Sequence, residues 1–130
     1  MPITRATDIA LRVLITLTGC SKRQTIAEIA ESIGVPERYT GKMVQRLSAE
    51  GWLDTSRGKG GGVRVSEAGL ATTPLDVIRA LGEGWPAIDC AEPPCPLLVR
   101  GCDLSSMLSN AESAFMASMG SVTMAQLGSN

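Results

Sequence analysis

The chain has 130 residues, 44% of them hydrophobic but only four aromatic, so one small domain with an aliphatic, methionine-rich core is expected. It contains no histidine, which excludes Ser-His and Cys-His catalysis, histidine-bearing zinc sites and histidine-held haem. The net charge of −1 divides unevenly: residues 1–65 carry ten Lys/Arg against six Asp/Glu (+4), and residues 66–130 carry two against seven (−5), which suggests a polyanion-facing half and a separate partner or sensor half.

No apolar run reaches the ~20 residues of a membrane-spanning helix. The N-terminus lacks the basic-then-apolar layout of a signal peptide; Ile9 to Leu17 is largely apolar, but Asp8 precedes it and Arg12 interrupts it. A cytoplasmic, reducing compartment is the expectation, and there a cysteine cluster serves a metal site or a sensor more often than a disulfide scaffold.

Thr4 to Thr18 reads as an amphipathic helix with Ala10, Leu11, Leu14, Ile15 and Leu17 on one broad face, ended by Gly19. Cys20 follows, far from the other cysteines, and is expected as a small buried apolar residue. Asp8 and Arg12 are spaced as an exposed i,i+4 pair, worth about 0.3–0.5 kcal/mol. Thr25-Ile26-Ala27-Glu28 has the form of a capping box and opens a short helix with Ile26, Ile29, Ala30 and Ile33 inward, stopped by Gly34. Val35-Pro36 opens a second helix, with proline in the first turn, that runs to about Glu50 and ends at Gly51. Met43, Val44 and Leu47 form its inner stripe, and Arg38, Tyr39, Gly41, Lys42, Gln45 and Arg46 lie mostly outward.

Two short helices joined by a tight glycine turn, the second basic, form the helix-turn-helix pattern. Trp52-Leu53-Asp54-Thr55 and Val63-Arg64-Val65 alternate as short strands around Ser56-Arg57-Gly58-Lys59-Gly60-Gly61-Gly62. A hairpin with a basic, glycine-rich tip after a helix-turn-helix is a wing, whose Arg57 or Lys59 can enter a minor groove. A nucleotide phosphate loop is the rival reading, and it fails because Gly58-Lys59 is followed by glycine where that loop needs Ser or Thr. Beyond the wing, Glu67 to Gly69 forms a turn or short helix, and Thr73-Pro74 starts a helix over Leu75 to Leu81 with Val77, Ile78 and Leu81 apolar. Gly82, Gly84 and Pro86 break the chain.

Cys90, Cys95 and Cys102 then fall within thirteen residues, on a stretch stiffened by Pro93, Pro94 and Pro96. Three thiolates are one short of the four protein ligands of a tetrahedral zinc or a common iron–sulfur cluster. Asp103 can cap a long final helix in which Leu104, Met107, Leu108, Ala111, Phe115 and Met119 repeat at helical spacing. The chain is too short to cover that stripe itself, so pairing in a two-fold dimer is expected in preference to intramolecular packing. The last residues, Gly128-Ser129-Asn130, are expected to fray. The domain plan is a DNA-binding winged helix-turn-helix over 1–82, a cysteine loop over 83–102 and a dimerisation helix with tail over 103–130. The fold class is mainly α with a small β-wing. An enzyme is not expected, since no nucleophile–base pairing and no nucleotide loop is present.

In this order, helix, helix-turn-helix, wing, cysteine loop and long final helix resemble the winged-helix iron–sulfur repressors of the IscR and NsrR superfamily, over nearly the whole chain. Thr7-Asp8-Ile9-Ala10-Leu11-Arg12, the wing Arg57-Gly58-Lys59-Gly60-Gly61-Gly62 and the three clustered cysteines carry the resemblance most specifically. Ala114-Phe115, followed by Val122-Thr123, is similar to the nitric-oxide-responsive NsrR branch. The resemblance implies that Cys90, Cys95 and Cys102 bind an iron–sulfur cluster. The IscR type adds a histidine, whose matching place is around Ser105 and which this chain lacks. The NsrR type adds an aspartate from the first helix of the other subunit, and Asp8 matches it. Asp8 thus becomes a ligand and Arg12 the residue that orients its carboxylate.

The cysteine spacing departs from the family, four residues then six where five and five or close to it is common, and this puts the middle ligand, Cys95, in question. A 4Fe–4S cubane is the expected cofactor, with 2Fe–2S as its alternative. The implied function is that of a homodimeric repressor that sets two recognition helices and two wings on a palindromic operator in double-stranded DNA. Nitric oxide is the implied signal, and loss of the Asp8 ligand would weaken operator binding. By position, Arg38, Gly41 and Lys42 match base-contacting sites and Arg57 the minor-groove arginine; Tyr39, Arg46 and Lys59 complete the expected DNA surface. Three other readings remain: a sensor of iron–sulfur or redox status on the same scaffold, a zinc-stabilised constitutive DNA-binding protein, and a metal-free thiol switch.

Overall fold

Helix α1 (Arg5–Thr18) is the centre of the molecule. The Thr4 hydroxyl accepts the Thr7 N–H at 3.2 Å and starts it, and Gly19 closes it. Ile9, Ala10, Val13, Leu14 and Leu17 are buried, a stripe at i, i+3, i+4 and i+7 spacing. Ile15, expected on that face, is 42% exposed instead. At 3.6 residues per turn, position 15 rotates away from the line through Ala10, Leu14 and Leu17, and Val13 takes its place. Each fully buried aliphatic side chain contributes about 1.5–3 kcal/mol. The computed structural model describes residues 3–82, 90 and 93–128. The chain break expected at Gly84 and Pro86 and the fraying expected at Ser129 and Asn130 lie outside these residues.

Helices α2 (Ile26–Ile33) and α3 (Glu37–Ala49) pack on α1 and on each other. Ile29, Ala30, Ile33, Val35, Met43, Val44 and Leu47 join the common core. Gly34 adopts φ +69, the left-handed conformation that ends α2 and turns the chain into α3. Pro36 stands at the N-cap of α3, one residue outside the first turn where it was expected. Buried Thr40 donates to the Pro36 carbonyl at 3.1 Å, which satisfies its hydroxyl without solvent. At the start of α2 the Thr25 hydroxyl accepts the Glu28 N–H at 3.2 Å.

Strands β1 (Leu53–Ser56) and β2 (Gly62–Val65) pair antiparallel, with Leu53 opposite Val65 and Ser56 opposite Gly62. Helix α4 (Glu67–Ala71) follows at once. Its Gly69 is buried so close to the Trp52 carbonyl that any Cβ would overlap that oxygen, so only glycine fits. Helix α5 (Pro74–Leu81) opens with a reciprocal capping box between Thr73 and Asp76, with proline inside the first turn.

A one-turn 3-10 helix (Leu98–Arg100) precedes the long helix α6 (Asp103–Met119). Asp103 is the first residue of α6 and Cys102 its N-cap, so the aspartate does not cap the helix as expected. None of the α6 residues is buried, and among the described elements its main neighbour is α5. A helix not expected from the sequence, α7 (Met124–Gly128), folds back onto α1 and α4, and Gly128, expected to fray, is its last residue and half-buried. Met124 is fully buried, and its N–H donates to the Thr72 carbonyl at 2.8 Å. The result is mostly helix around one small antiparallel hairpin, a winged helix-turn-helix carrying a long exposed arm.

Candidate functional site

The outward side of α3 carries Arg38, Tyr39, Lys42, Gln45 and Arg46, all exposed, because the inner positions are fixed by Met43, Val44 and Leu47. Gly41 is half-buried beside α2, and a Cβ built there would meet only Ile26 Cγ2, at 3.9 Å. Among the described residues Arg38 and Lys42 form no ion pair. Arg46 differs. Its guanidinium donates to the Ala80 carbonyl at 2.9 Å and lies 3.6 Å from Glu50, so it ties α3 to the last turn of α5. It stands at the edge of the basic surface with two of its nitrogens directed at Ala80 and Glu50.

The wing tip is residues 57–61. Gly58 (φ +87) and Gly60 (φ +78) take left-handed conformations, and a Cβ on Gly61 would lie 2.5 Å from the Ser56 carbonyl. Those constraints leave the tip narrow and expose Arg57 and Lys59. Neither makes an ion pair among the described residues. At the wing base, Arg23 donates to the Asp54 carboxylate at 3.0 Å, and Arg64 donates to the same oxygen at 3.1 Å. These two guanidiniums, Arg23 first, hold the Asp54 carboxyl below its ordinary range. Sequence reasoning missed this cluster. Part of the signal was present, since the hairpin register puts Asp54 opposite Arg64 as a complementary cross-strand pair. Arg23 lies outside the hairpin and gave no local sign.

Asp8 and Arg12 form the expected i,i+4 ion pair, at 3.0 Å, with both side chains about half exposed. Arg12 also donates to the Ile33 carbonyl at 3.3 Å. One arginine therefore links Asp8 to the end of α2, where the helix-turn-helix turns.

Cys90, Cys95 and Cys102 are free and half-buried. The Cys95 N–H donates to the Cys90 carbonyl at 3.0 Å, and the Leu98 N–H donates to the Cys95 carbonyl at 3.1 Å. The second of these bonds closes a turn over residues 95–98. Gly101, at φ +77, then delivers Cys102 to the start of α6. Among the described residues no three of His, Cys, Asp or Glu stand together as a metal cluster, so a single chain does not gather the three thiols and Asp8. The donor chemistry fits an iron–sulfur cluster: three soft sulfur ligands on one short segment, with no imidazole and no disulfide in competition. Cys20 is half-buried, not fully buried, and its Sγ hydrogen-bonds the Thr16 carbonyl at 3.2 Å as part of α1's last turn. Among the described residues no helix is long and apolar enough to cross a membrane.

Residues 3–130 match the Rrf2 family, described as iron-dependent transcriptional regulators. The HTH-type transcriptional repressor NsrR of Streptomyces coelicolor is 33% identical over 132 residues, covering 98% of this chain and 88% of that protein. Protein aau3 of Rhizobium meliloti is 34% identical over 119 residues, covering 88% and 77%. Among solved structures, Staphylococcus aureus CymR superposes with a TM-score of 0.76 at 20% identity, covering 98% of both chains. T. potens IscR superposes with a TM-score of 0.73 at 19% identity, covering 96% of this chain and 84% of that one. Basic helix, glycine-tipped wing and whole-chain likeness agree: the chain belongs to the Rrf2 family, and it is a transcriptional regulator, not an enzyme.

Proposed function

We propose that this regulator is a homodimeric repressor of a palindromic operator, that it carries an iron–sulfur cluster, 4Fe–4S in preference to 2Fe–2S, and that nitric oxide is its signal. The observation that carries the reading is the set of three free thiols, Cys90, Cys95 and Cys102, carried on one short stretch directly before α6. Those thiols would hold the cluster, and the partner subunit's Asp8 would complete it. When bound, the cluster supplies iron that reacts with nitric oxide. The chain's own residues would do the rest. Arg12 holds the Asp8 carboxylate at 3.0 Å and reaches the Ile33 carbonyl with another nitrogen. Engagement or release of Asp8 across the dimer is thereby felt at the turn before α3. Arg38, Tyr39, Gly41 and Lys42 would face the major groove, with Arg46 at their margin bracing α3 on α5. Arg57 and Lys59 would enter the minor groove. A shift of α1 then changes the spacing of two reading heads that must fit half-sites about 34–36 Å apart.

Native mass spectrometry of protein purified without oxygen, before and after nitric oxide, tests this. A dimer with a 4Fe–4S mass on each subunit that converts to nitrosylated species is the expected outcome. A zinc mass, or a metal-free dimer indifferent to nitric oxide, would sink the cluster reading and leave the DNA-binding regulator.

A further inference from the structure

An isolated two-stranded hairpin is marginal in water, so something outside the wing must set its angle to the recognition helix. In this chain the hairpin rests on α1 and α3 through buried Leu53 and Val63, and the segment just before α2 adds polar contacts to it. Gln24 forms an antiparallel bridge with Val63, its N–H donating to the Val63 carbonyl at 2.9 Å and its carbonyl accepting the Val63 N–H at 2.8 Å. That bridge holds only β2. Arg23 holds both strands. One guanidinium nitrogen donates to the Asp54 carbonyl of β1 at 3.0 Å and to the Gly62 carbonyl of β2 at 3.2 Å. Another donates to the Asp54 carboxylate at 3.0 Å. Arg64 grips that carboxylate from the other strand, and the Arg23 side chain is 22% exposed. A Cβ on Gly62, whose φ is +136, would stand 2.9 Å from the Gln24 carbonyl and 3.1 Å from Arg23 Cβ, so glycine is what allows this approach. Two residues after Arg23, Thr25 caps α2. The clamp therefore joins the wing to the helix-turn-helix through a very short rigid path.

We propose that Arg23, with Asp54 as its counterpart, is the positioning residue of the wing: it sets where Arg57 and Lys59 meet DNA without touching DNA itself. The proposal rests on the reading that the wing tip binds the operator. A guanidinium suits the task because its planar fork serves several acceptors at once, which an ammonium cannot do in one geometry.

The test is a double-mutant cycle on operator affinity, with the full-length dimer and a fixed salt concentration. The combined Arg57→Ala/Lys59→Ala variant removes the tip, and Arg23→Ala removes the clamp. Each is expected to weaken binding by about tenfold, and Arg23→Ala added to the tip variant is expected to cost nothing further, because there is no tip left to position. The slope of log affinity against log salt should flatten equally in the two. If the tip variant binds as the parent does, the wing reading fails and the proposal falls with it. If the tip variant is weakened but Arg23→Ala keeps its full effect in that background, the wing reading stands and the positioning role is overturned. Should Arg23→Ala fail to fold, Arg23→Lys keeps the charge and loses the fork. It is expected to show the same non-additivity, and an additive effect from it overturns the role equally.

Discussion

Glycine in the middle of a helix costs about 0.5–1 kcal/mol relative to alanine, and at Gly41 no packing constraint demands it, since a Cβ would meet only Ile26 Cγ2 at 3.9 Å. A close backbone approach to a base edge would account for that cost. Gly41→Ala is expected to raise the urea midpoint at unchanged slope, a stability gain of about 0.5–1 kcal/mol, while weakening operator binding about tenfold. A variant that is more stable and binds equally well would remove Gly41 from the DNA surface. Arg57→Ala is expected to weaken operator binding by about 1–3 kcal/mol, read by titration of labelled operator, with no change in melting temperature. Unchanged affinity would take the wing tip out of the interface. The exposure of Arg57 and Lys59 at a hairpin tip was legible in the sequence, because the glycines around them mark a turn between two strands. Arg46 was less so. Periodicity says which side of α3 it occupies, but not that the Ala80 carbonyl, 34 positions away, stands opposite. The Arg23 contacts escaped for the same reason, since no local pattern reveals a partner that the fold supplies.

The elements were mostly legible because caps and stripes are local. Thr4, Gly34 and Pro36 delimit helices by the conformations or hydrogen bonds they favour. Helix α7 carried its own signal, overlooked in Thr123-Met124-Ala125-Gln126: the Thr123 N–H donates to the Gln126 side-chain oxygen at 2.8 Å, and the Gln126 N–H donates to the Thr123 hydroxyl at 3.3 Å. At α5 the box is made by Thr73 and Asp76, the Thr73 N–H donating to the carboxylate at 2.9 Å. That backbone donor, ahead of the Thr73 and Thr72 hydroxyls, holds the Asp76 carboxyl below its unperturbed 3.8. A carboxylate with a depressed folded value stabilises above the unfolded value, and the contribution is lost as pH falls from about 4 through the folded value. Thr73→Ala is expected to cost about 1 kcal/mol at neutral pH, measured by urea unfolding. Asp76→Asn should flatten the acid limb of the stability–pH curve below pH ~4. An acid limb identical to the parent's would show that Asp76 does not act through its charge. Asp54 follows the same sign rule, so acid also loosens the wing base.

For the whole molecule, the exposed apolar arm has an explanation if two chains associate. Leu104 is 57% exposed, Met107 67% and Leu108 36%, while Phe115, Met116 and Met119 nearer the C-terminal end of α6 are half-buried. The N-terminal half of α6 thus presents large apolar side chains that its own chain leaves uncovered. Leu97, Leu98 and Val99 extend the apolar surface toward the cysteines. Pairing two α6 helices about a two-fold axis would bury those side chains and bring each cysteine segment within the reach of a second chain's α1. Four separated ligands in one chain would then be a site completed by two, which a single sequence cannot display. Leu104→Glu combined with Leu108→Glu is expected to give monomers by sedimentation, with the helix content of one chain kept. Its operator affinity should fall by about a hundredfold or more, because each half-site would be bound without the effective concentration its neighbour supplies. The same variant should fail to retain iron under anaerobic purification if the partner subunit's Asp8 completes the site. A monomer that keeps its iron would place all the ligands in one chain, and a variant that stays dimeric would move the interface off α6.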